Sequence, residues 1–380
     1  MRFRKVAAGL LVASVVWGSS APLRAEGEWE TTTDSEAALE RGLQWLAANQ
    51  GPQGNWGSDD LGLVSLGALA FLSAGHTPGH GKYGAAVDKA LNYVVTNAKP
   101  SGLLNISNPR RDMYNHGLAA FVLGQAYGMT NDRRLGVVLE RALALISQTQ
   151  CDDGGWDYVA RRQARGHDLS LVVMQAKALR SAMDSGLAVS PAVTALAIKS
   201  VRDHYRSKSG NRNVDDPAVQ AEPGQFTYDG NRTSLAMAAC GVVCLQEFGE
   251  YGDWRIAKNL EVIQGAVRHL DNLPRNGRVP HGAYAAYYIG QALYQVGGEP
   301  WKTSYPKLRN ALVATQALAP GNPQQDGAWE DAVHVSGQAG KLYGTAVGCF
   351  LLAIPNRYLP ILQEGKIDSL KGRMPSGERS

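Results

Sequence analysis

The stretch Ala37–Trp56, AALERGLQWLAANQGPQGNW, returns one hundred positions later as RALALISQTQCDDGGW. Leu39 falls on Leu139, Leu43 on Leu143, Leu46 on Ile146, Gln50 on Gln150 and Trp56 on Trp156. A third copy runs from Leu312 through Gln316 to Gly327-Ala328-Trp329. Self-similarity in a fixed register constrains a chain more than any single motif, because each copy buries its apolar face only against the next one.

In that register six Gly-x-apolar turns can be placed: Gly54-Asn55-Trp56, Gly102-Leu103-Leu104, Gly154-Gly155-Trp156, Gly224-Gln225-Phe226, Gly277-Arg278-Val279 and Gly327-Ala328-Trp329. Neighbouring turns lie about 50 residues apart, a helical-hairpin period. The fourth unit is longer by a polar stretch, Ser207–Gln225, which reads as a surface loop. A helix is expected before each turn, at Glu36–Asn49, Ala85–Asn97, Arg134–Gln148, Pro191–Tyr205, Arg255–Leu270 and Tyr305–Thr315. Another is expected after each turn, at Asp60–Ala74, Tyr114–Tyr127, Leu169–Met183, Thr233–Phe248, Ala283–Val296 and Leu342–Ala353. The first class carries one apolar stripe, such as Leu39, Gly42, Leu43 and Leu46, and belongs outside. The second class is nearly uncharged all round, as in Leu61–Ala74 and Leu235–Leu245, and belongs inside. No alternating runs recur that would build a central sheet. The expected fold is all-α, an (α/α)6 toroid over residues 26–362: six outer and six inner helices in a double-walled ring. An open solenoid is the alternative.

The helix-Gln-Gly-x-Trp unit resembles the QW motif of the squalene cyclase and protein prenyltransferase repeat superfamily. The resemblance covers essentially all of residues 36–362, with three well-formed copies and three decayed ones. It implies the α/α toroid. It also implies a structural role for Gln50, Trp56, Gln150, Trp156, Gln316 and Trp329, which would tie each outer helix to the next unit and satisfy orphan groups at helix ends.

Composition bounds the address and the partners. Apolar residues make up 44% of the 380, enough for a sizeable core, and 43 glycines suit a chain of tight turns. The net charge of +4 is small and scattered, which argues against nucleic acid. Arg2, Arg4 and Lys5 precede an apolar run, Val6–Trp17, too short to span a bilayer. Residues 1–25 therefore read as a secretory signal peptide, and the chain as exported to the periplasm or beyond the cell. A membrane surface enters only if that segment is retained. Residues 363–380 read as a polar, disordered tail. Cys151, Cys240, Cys244 and Cys349 are not spaced as a disulfide framework and read as small buried side chains.

Ring closure would bring all six turn-to-inner-helix junctions to one mouth, with six helix N-termini converging. The ligand-binding candidates there are Tyr114, His116, His167, Asp168, Arg232, Tyr284, Tyr287 and Tyr343. Asp59, Asp60 and Asp168 are the candidates for acid–base work, although an Asp before an inner helix is equally a good N-cap. His116, His167, His281 and His334, with Asp168 as an oxygen donor, are the candidates for zinc. The prenyltransferases' Asp-x-Cys pair is missing, however, and no spacing gives a tight ligand set, so no metal or other cofactor is expected. The cyclases' Asp-x-Asp-Asp acid is matched only by Asn213-Val214-Asp215-Asp216 in the polar loop, which argues against triterpene cyclisation.

The leading functional expectation is a protein that binds an apolar or isoprenoid-like ligand in a central cavity. An alternative is an enzyme acting at the same mouth on a terpenoid or a glycan, as a lyase or glycosidase. Glycan chemistry needs paired carboxylates, or a basic residue such as Arg232 beside an acidic sugar. A protein-interaction scaffold is the third.

Overall fold

The computed structural model describes residues 29–211, 216–335 and 338–363, and leaves the side chains of 332–339 outside the description. The expected signal peptide, the tail beyond Gln363, Asn213–Asp215 and the His334 side chain all lie outside the described residues. Thirteen α-helices follow in order among the described residues: α1 (Thr33–Asn49), α2 (Leu61–Ser73), α3 (Gly84–Thr96), α4 (Asp112–Thr130), α5 (Arg133–Thr149), α6 (Leu169–Asp184), α7 (Pro191–Asp203), the short α8 (Pro217–Ala221), α9 (Leu235–Glu247), α10 (Trp254–Val267), α11 (Ala283–Val296), α12 (Gly298–Thr315) and α13 (Lys341–Ala353).

The inner wall runs α2, α4, α6, α9, α11, α13, each packed on the next, and α13 packs back on α2. The ring is therefore closed, and the molecule is the expected (α/α)6 toroid. Each outer helix lies over the inner helix that precedes it: α3 over α2, α5 over α4, α10 over α9, and α1 over α13. Within α2 every residue except Leu63 is buried, whereas α3 buries Gly84, Val87, Ala90, Leu91 and Val94 along one stripe. Among the described residues no helix is long and apolar enough to cross a membrane.

The repeated glutamines do the same thing three times. Gln50 Nε2 donates to Gly54 O (3.2 Å) and Ala86 O of α3 (2.9 Å). Gln150 Nε2 donates to Gly154 O (3.1 Å) and Val193 O of α7 (2.9 Å). Gln316 Nε2 donates to Gly327 O (2.9 Å) and Ala38 O of α1 (2.8 Å). Each amide closes its own turn and reaches the next outer helix, and the last one joins the end of the chain to its beginning. The indoles cap the helix before the turn: Trp56 donates to Leu46 O (2.8 Å), Trp156 to Ile146 O (2.9 Å) and Trp329 to Leu312 O (3.0 Å). All the turn glycines but Gly224 have left-handed backbones, and Gly54, Gly102, Gly154 and Gly327 touch the neighbouring outer helix. A Cβ on Gly54 (φ 89°) would lie 2.6 Å from Lys89 O, which only glycine avoids.

Beyond the three glutamines, Glu30 is buried and clasps both chain ends. Trp301 Nε1 donates to its Oε1 (2.6 Å), and the Arg357 guanidinium forks onto both oxygens (3.0 and 3.1 Å).

Several boundaries depart from the sequence expectation. α12 starts at Gly298 rather than Tyr305 and carries Pro306 inside it; the proline mimics a first-turn residue when read from sequence. The long loop of the fourth unit is drawn shut by a ribbon, β1 (Tyr205–Ser207) against β2 (Gly224–Phe226), and contains α8. A second ribbon pairs β3 (Asp331–Val335) with β4 (Gln338–Gly340) before α13. The four cysteines are free and buried.

Candidate functional site

Among the described residues, one enclosed polar cluster and one that reaches solvent stand out on the inner helices. The closed one lies at mid-depth. Tyr284, Tyr287 and Tyr343, expected to line a cavity, are 2%, 3% and 5% exposed, and Tyr287 packs on Phe350. Tyr288 packs against Tyr284 and Tyr287 with ring centroids 5.0 Å apart and donates across the ring to Met174 Sδ (3.3 Å). Beside them Lys177 of α6 is fully enclosed. Its Nζ donates to Glu247 Oε1 of α9 (3.2 Å) and to Gln291 Oε1 of α11, and it sits 4.2 Å over the Phe121 ring of α4. Burial pushes the Lys177 amine below its ordinary value, opposed by Glu247. Sequence reading missed this lysine, which hides in the apolar run of α6.

The open place is the mouth at the start of α6. Asp168 caps that helix: its Oδ1 accepts from Ser170 N (3.0 Å) and from the Ser170 hydroxyl. Its Oδ2 accepts from Tyr158 Oη (2.6 Å) and from His167 Nδ1 (3.0 Å). The carboxylate is buried, while the His167 side chain is 52% exposed. Two further tyrosines extend the array. Tyr114 Oη meets the Ser170 hydroxyl, and Tyr228 Oη meets Tyr158 Oη. Each hydroxyl has one proton. Ser170 and Tyr158 spend theirs on Asp168, so Tyr114 donates to Ser170 and Tyr228 donates to Tyr158. The result is two proton-ordered arms ending on one carboxylate.

This wiring keeps the three phenols protonated. Burial, reinforced by the Asp168 hydrogen bond, raises the Tyr158 hydroxyl far above its ordinary value. Burial and the Asp168 charge raise Tyr114 and Tyr228 as well. All three phenols are thus held neutral, as donors. In the imidazole tautomer that donates from Nδ1 to Asp168 Oδ2, Nε2 carries the lone pair on the exposed side of His167. A buried Asp that fixes an imidazole's tautomer and orientation is the dyad logic of general-base sites.

The chain builds this corner by a local departure from its own repeat. Between Trp156 and α6 lies a long segment, DYVARRQARGHD, where the first unit has only GSDD between Trp56 and α2. It is pinned by Asp152 N to Gln163 O (3.0 Å), Gly166 N to Asp153 Oδ1 (2.9 Å) and His167 N to Trp156 O (2.9 Å). Tyr158 and His167 stack edge to face at 4.3 Å. Arg232 lies 4.8 Å from the Tyr228 ring and pairs with Asp229 at the surface (2.9 Å). Tyr158 and Tyr228 were both missed in the sequence. They occupy the same repeat position, two residues after the turn aromatics Trp156 and Phe226, and that coincidence is the signal that would have found them.

The remaining candidates are placed elsewhere. Asp60 is buried as the cap of α2, accepting from Leu63 N (3.1 Å) and Arg111 Nη1 (2.9 Å), and Asp59 is exposed. His116 is fully buried away from the mouth. Its Nδ1 accepts from Leu104 N (3.2 Å) and its Nε2 donates to Ala142 O (3.0 Å), so both ring nitrogens are used in joining α4 to α5. Burial pulls it down to about 4. His281 is exposed, at φ 60°. His116, His167 and His281 are therefore not gathered, and among the described residues no three His, Cys, Asp or Glu side chains are grouped to hold a metal.

No family model matches the sequence, and no curated protein does either. The structure, by contrast, has clear neighbours. An inactive variant of the α-1,6-mannanase of Salegentibacter sp. HEL1_6, in complex with α-1,6-mannotriose, aligns over 88% of this chain and 100% of its own at 10% identity, with a TM-score of 0.56. An unsaturated glucuronyl hydrolase specific for heparin aligns over 84% of this chain and 96% of its own at 14% identity, with a TM-score of 0.54. The likeness is one of fold. These neighbours are α/α toroids, and neither is a terpenoid cyclase.

Proposed function

We propose that this chain is a glycan-active enzyme working at the inner-helix mouth, with the Asp168 cluster as its centre. The observation that carries this reading is a buried, fully hydrogen-bonded carboxylate beneath half-exposed Tyr158, Tyr228 and His167. Aromatic faces flanked by oriented hydroxyl and imidazole groups suit the apolar faces and ring hydroxyls of a sugar. The two toroidal neighbours support it, since one is a mannanase held with a mannooligosaccharide and the other a glucuronyl hydrolase. An apolar ligand on the ring axis has less support, because the tyrosines that would line its cavity are buried among themselves and their neighbours.

The test is a panel of neutral and acidic polysaccharides incubated with the purified chain, with products sized by chromatography. Depolymerisation of one class by the wild type, lost in both Asp168→Asn and Tyr158→Phe, is the expected result. Asparagine is as good a helix N-cap as aspartate, so Asp168→Asn retains the cap while removing the charge. Activity that survives in both variants would move the site elsewhere.

A further inference from the structure

The Asp168 cluster has one carboxylate where a glycosidase needs two. Asp168 accepts four donors and serves as a fixed charge rather than a proton donor. The neighbouring carboxylates are engaged too: Asp112 by Asn105 Nδ2 (2.7 Å), and Asp157 by Arg161 Nε (3.0 Å) and Tyr158 N (2.7 Å). What the cluster does present is an imidazole base, phenol acids and an arginine, which is the inventory for removing a carbon-bound proton.

A near-neutral base abstracts a sugar C–H proton only where a carbonyl group acidifies it, and in a polysaccharide chain that means C5 of a uronate. Resting on the glycan reading above, we propose that the substrate is a uronate-containing polysaccharide and that the chain cleaves it by β-elimination, with His167 as the base. His167 Nε2 takes the C5 proton. The C5–H electron pair forms the C4=C5 double bond, and the C4–O glycosidic bond breaks. Tyr228 Oη turns its proton from Tyr158 to the departing oxygen and gives it up there, and solvent later returns a proton to Tyr228 and removes one from His167. No water is added to the product and nothing is oxidised or reduced. Arg232, beside Tyr228, is placed to hold the uronate carboxylate; its pair with Asp229 is 70% and 33% exposed and exchangeable. Arg110 and Arg165, on the approaches to α4 and α6, are exposed.

The experiment follows ultraviolet absorbance of the conjugated unsaturated uronate while the chain acts on polygalacturonate, alginate and glycosaminoglycans, with product masses read by mass spectrometry. The expected products absorb, and their masses sum to that of the parent without added water. His167→Gln should lose roughly 10²–10⁴-fold in kcat, the scale of a lost general base, with substrate binding and circular dichroism retained. Arg232→Ala should raise KM, and a polymer whose carboxyls have been reduced to alcohols should not be cut. Cleavage with water added, or of neutral mannan, overturns elimination and leaves the glycan reading intact. Full activity in His167→Gln overturns the base assignment. Failure to cut or bind any glycan overturns both readings.

Discussion

Gln316 ties the last turn to α1 and can be tested directly. Gln316 is fully buried, and its amide donates to Gly327 O within its own turn and to Ala38 O in α1, 278 residues away. Its Oε1 accepts from Arg41 Nε (3.1 Å) and Nη2 (2.9 Å). Replacing Gln316 by Met fills the volume and removes both donors. Each carbonyl left unsatisfied costs about 1–3 kcal/mol, so the pair should cost about 2–6 kcal/mol. Arg41 is only half-buried and rehydrates, so its share is about 0–1 kcal/mol. The substitution Gln316→Glu sharpens the test, because at neutral pH it keeps the acceptor for Arg41 but sets a negative charge against two carbonyl oxygens. It should be no better than Met. The assay is urea denaturation of the three proteins, with amide exchange read on α1. Loss within that range, and faster exchange concentrated in α1 and α12, is expected. A Met variant within about 0.5 kcal/mol of wild type, the ordinary scatter of surface substitutions, would refute the claim that this amide ties the last turn to α1.

Three further outcomes follow from the same contacts. Gly54→Ala forces a Cβ to 2.6 Å from Lys89 O at φ 89°, whereas Gly186→Ala at φ 82° meets nothing within 4 Å. The second should cost about 1–2 kcal/mol from handedness alone and the first clearly more, by thermal melts of the two proteins. His116 is held near 4 when folded against 6.5 unfolded. The unfolded chain thus binds the proton first, and stability present above pH 6.5 is lost as pH falls toward 4. The difference of about 2.5 units is worth about 3 kcal/mol, and His116→Asn should flatten that part of the stability–pH curve; an unchanged slope would count against it. Lys177→Met strands the buried Glu247 and should cost about 3–5 kcal/mol, while Lys177→Met with Glu247→Gln recovers most of it. Denaturant midpoints for the single and double variants decide this, and a double variant no better than the single one would mean the pair is not coupled.

The architecture was legible because its signals repeat. Gln50, Gln150 and Gln316 make equivalent hydrogen bonds, and Leu39, Leu139 and their counterparts mark one face of each outer helix. Period and register survive in the one-dimensional string, so the ring could be read from it. Its axis could not. Whether Tyr284 and Tyr287 line a space or fill it depends on the ring's diameter, which no periodicity reports. Lys177 is one charge among apolar neighbours, and its partners Glu247 and Gln291 stand 70 and 114 positions away. The histidines misled for a related reason. His116 lies only four residues into α4, yet helical rotation turns it outward toward α5 rather than toward the mouth.

The polar site instead follows from where the repeat is broken. Two residues past the turn aromatic, the six units carry Ser58, Ile106, Tyr158, Tyr228, His281 and Asp331. A position that serves the scaffold keeps one residue type, as Gly54, Gly102, Gly154 and Gly327 do, because each meets a backbone carbonyl of the neighbouring outer helix. A position that varies while pointing at the mouth is free of that constraint. At the third and fourth units it holds tyrosines whose hydroxyls touch, and in the third the segment Asp157–Asp168 brings His167 and Asp168 against them. Repetition thus supplies six equivalent junctions and a convergent set of helix N-termini, and departure from repetition selects which junction does chemistry. In a toroid of this kind, the informative residues are therefore those that adjacent units share with each other and with no other unit.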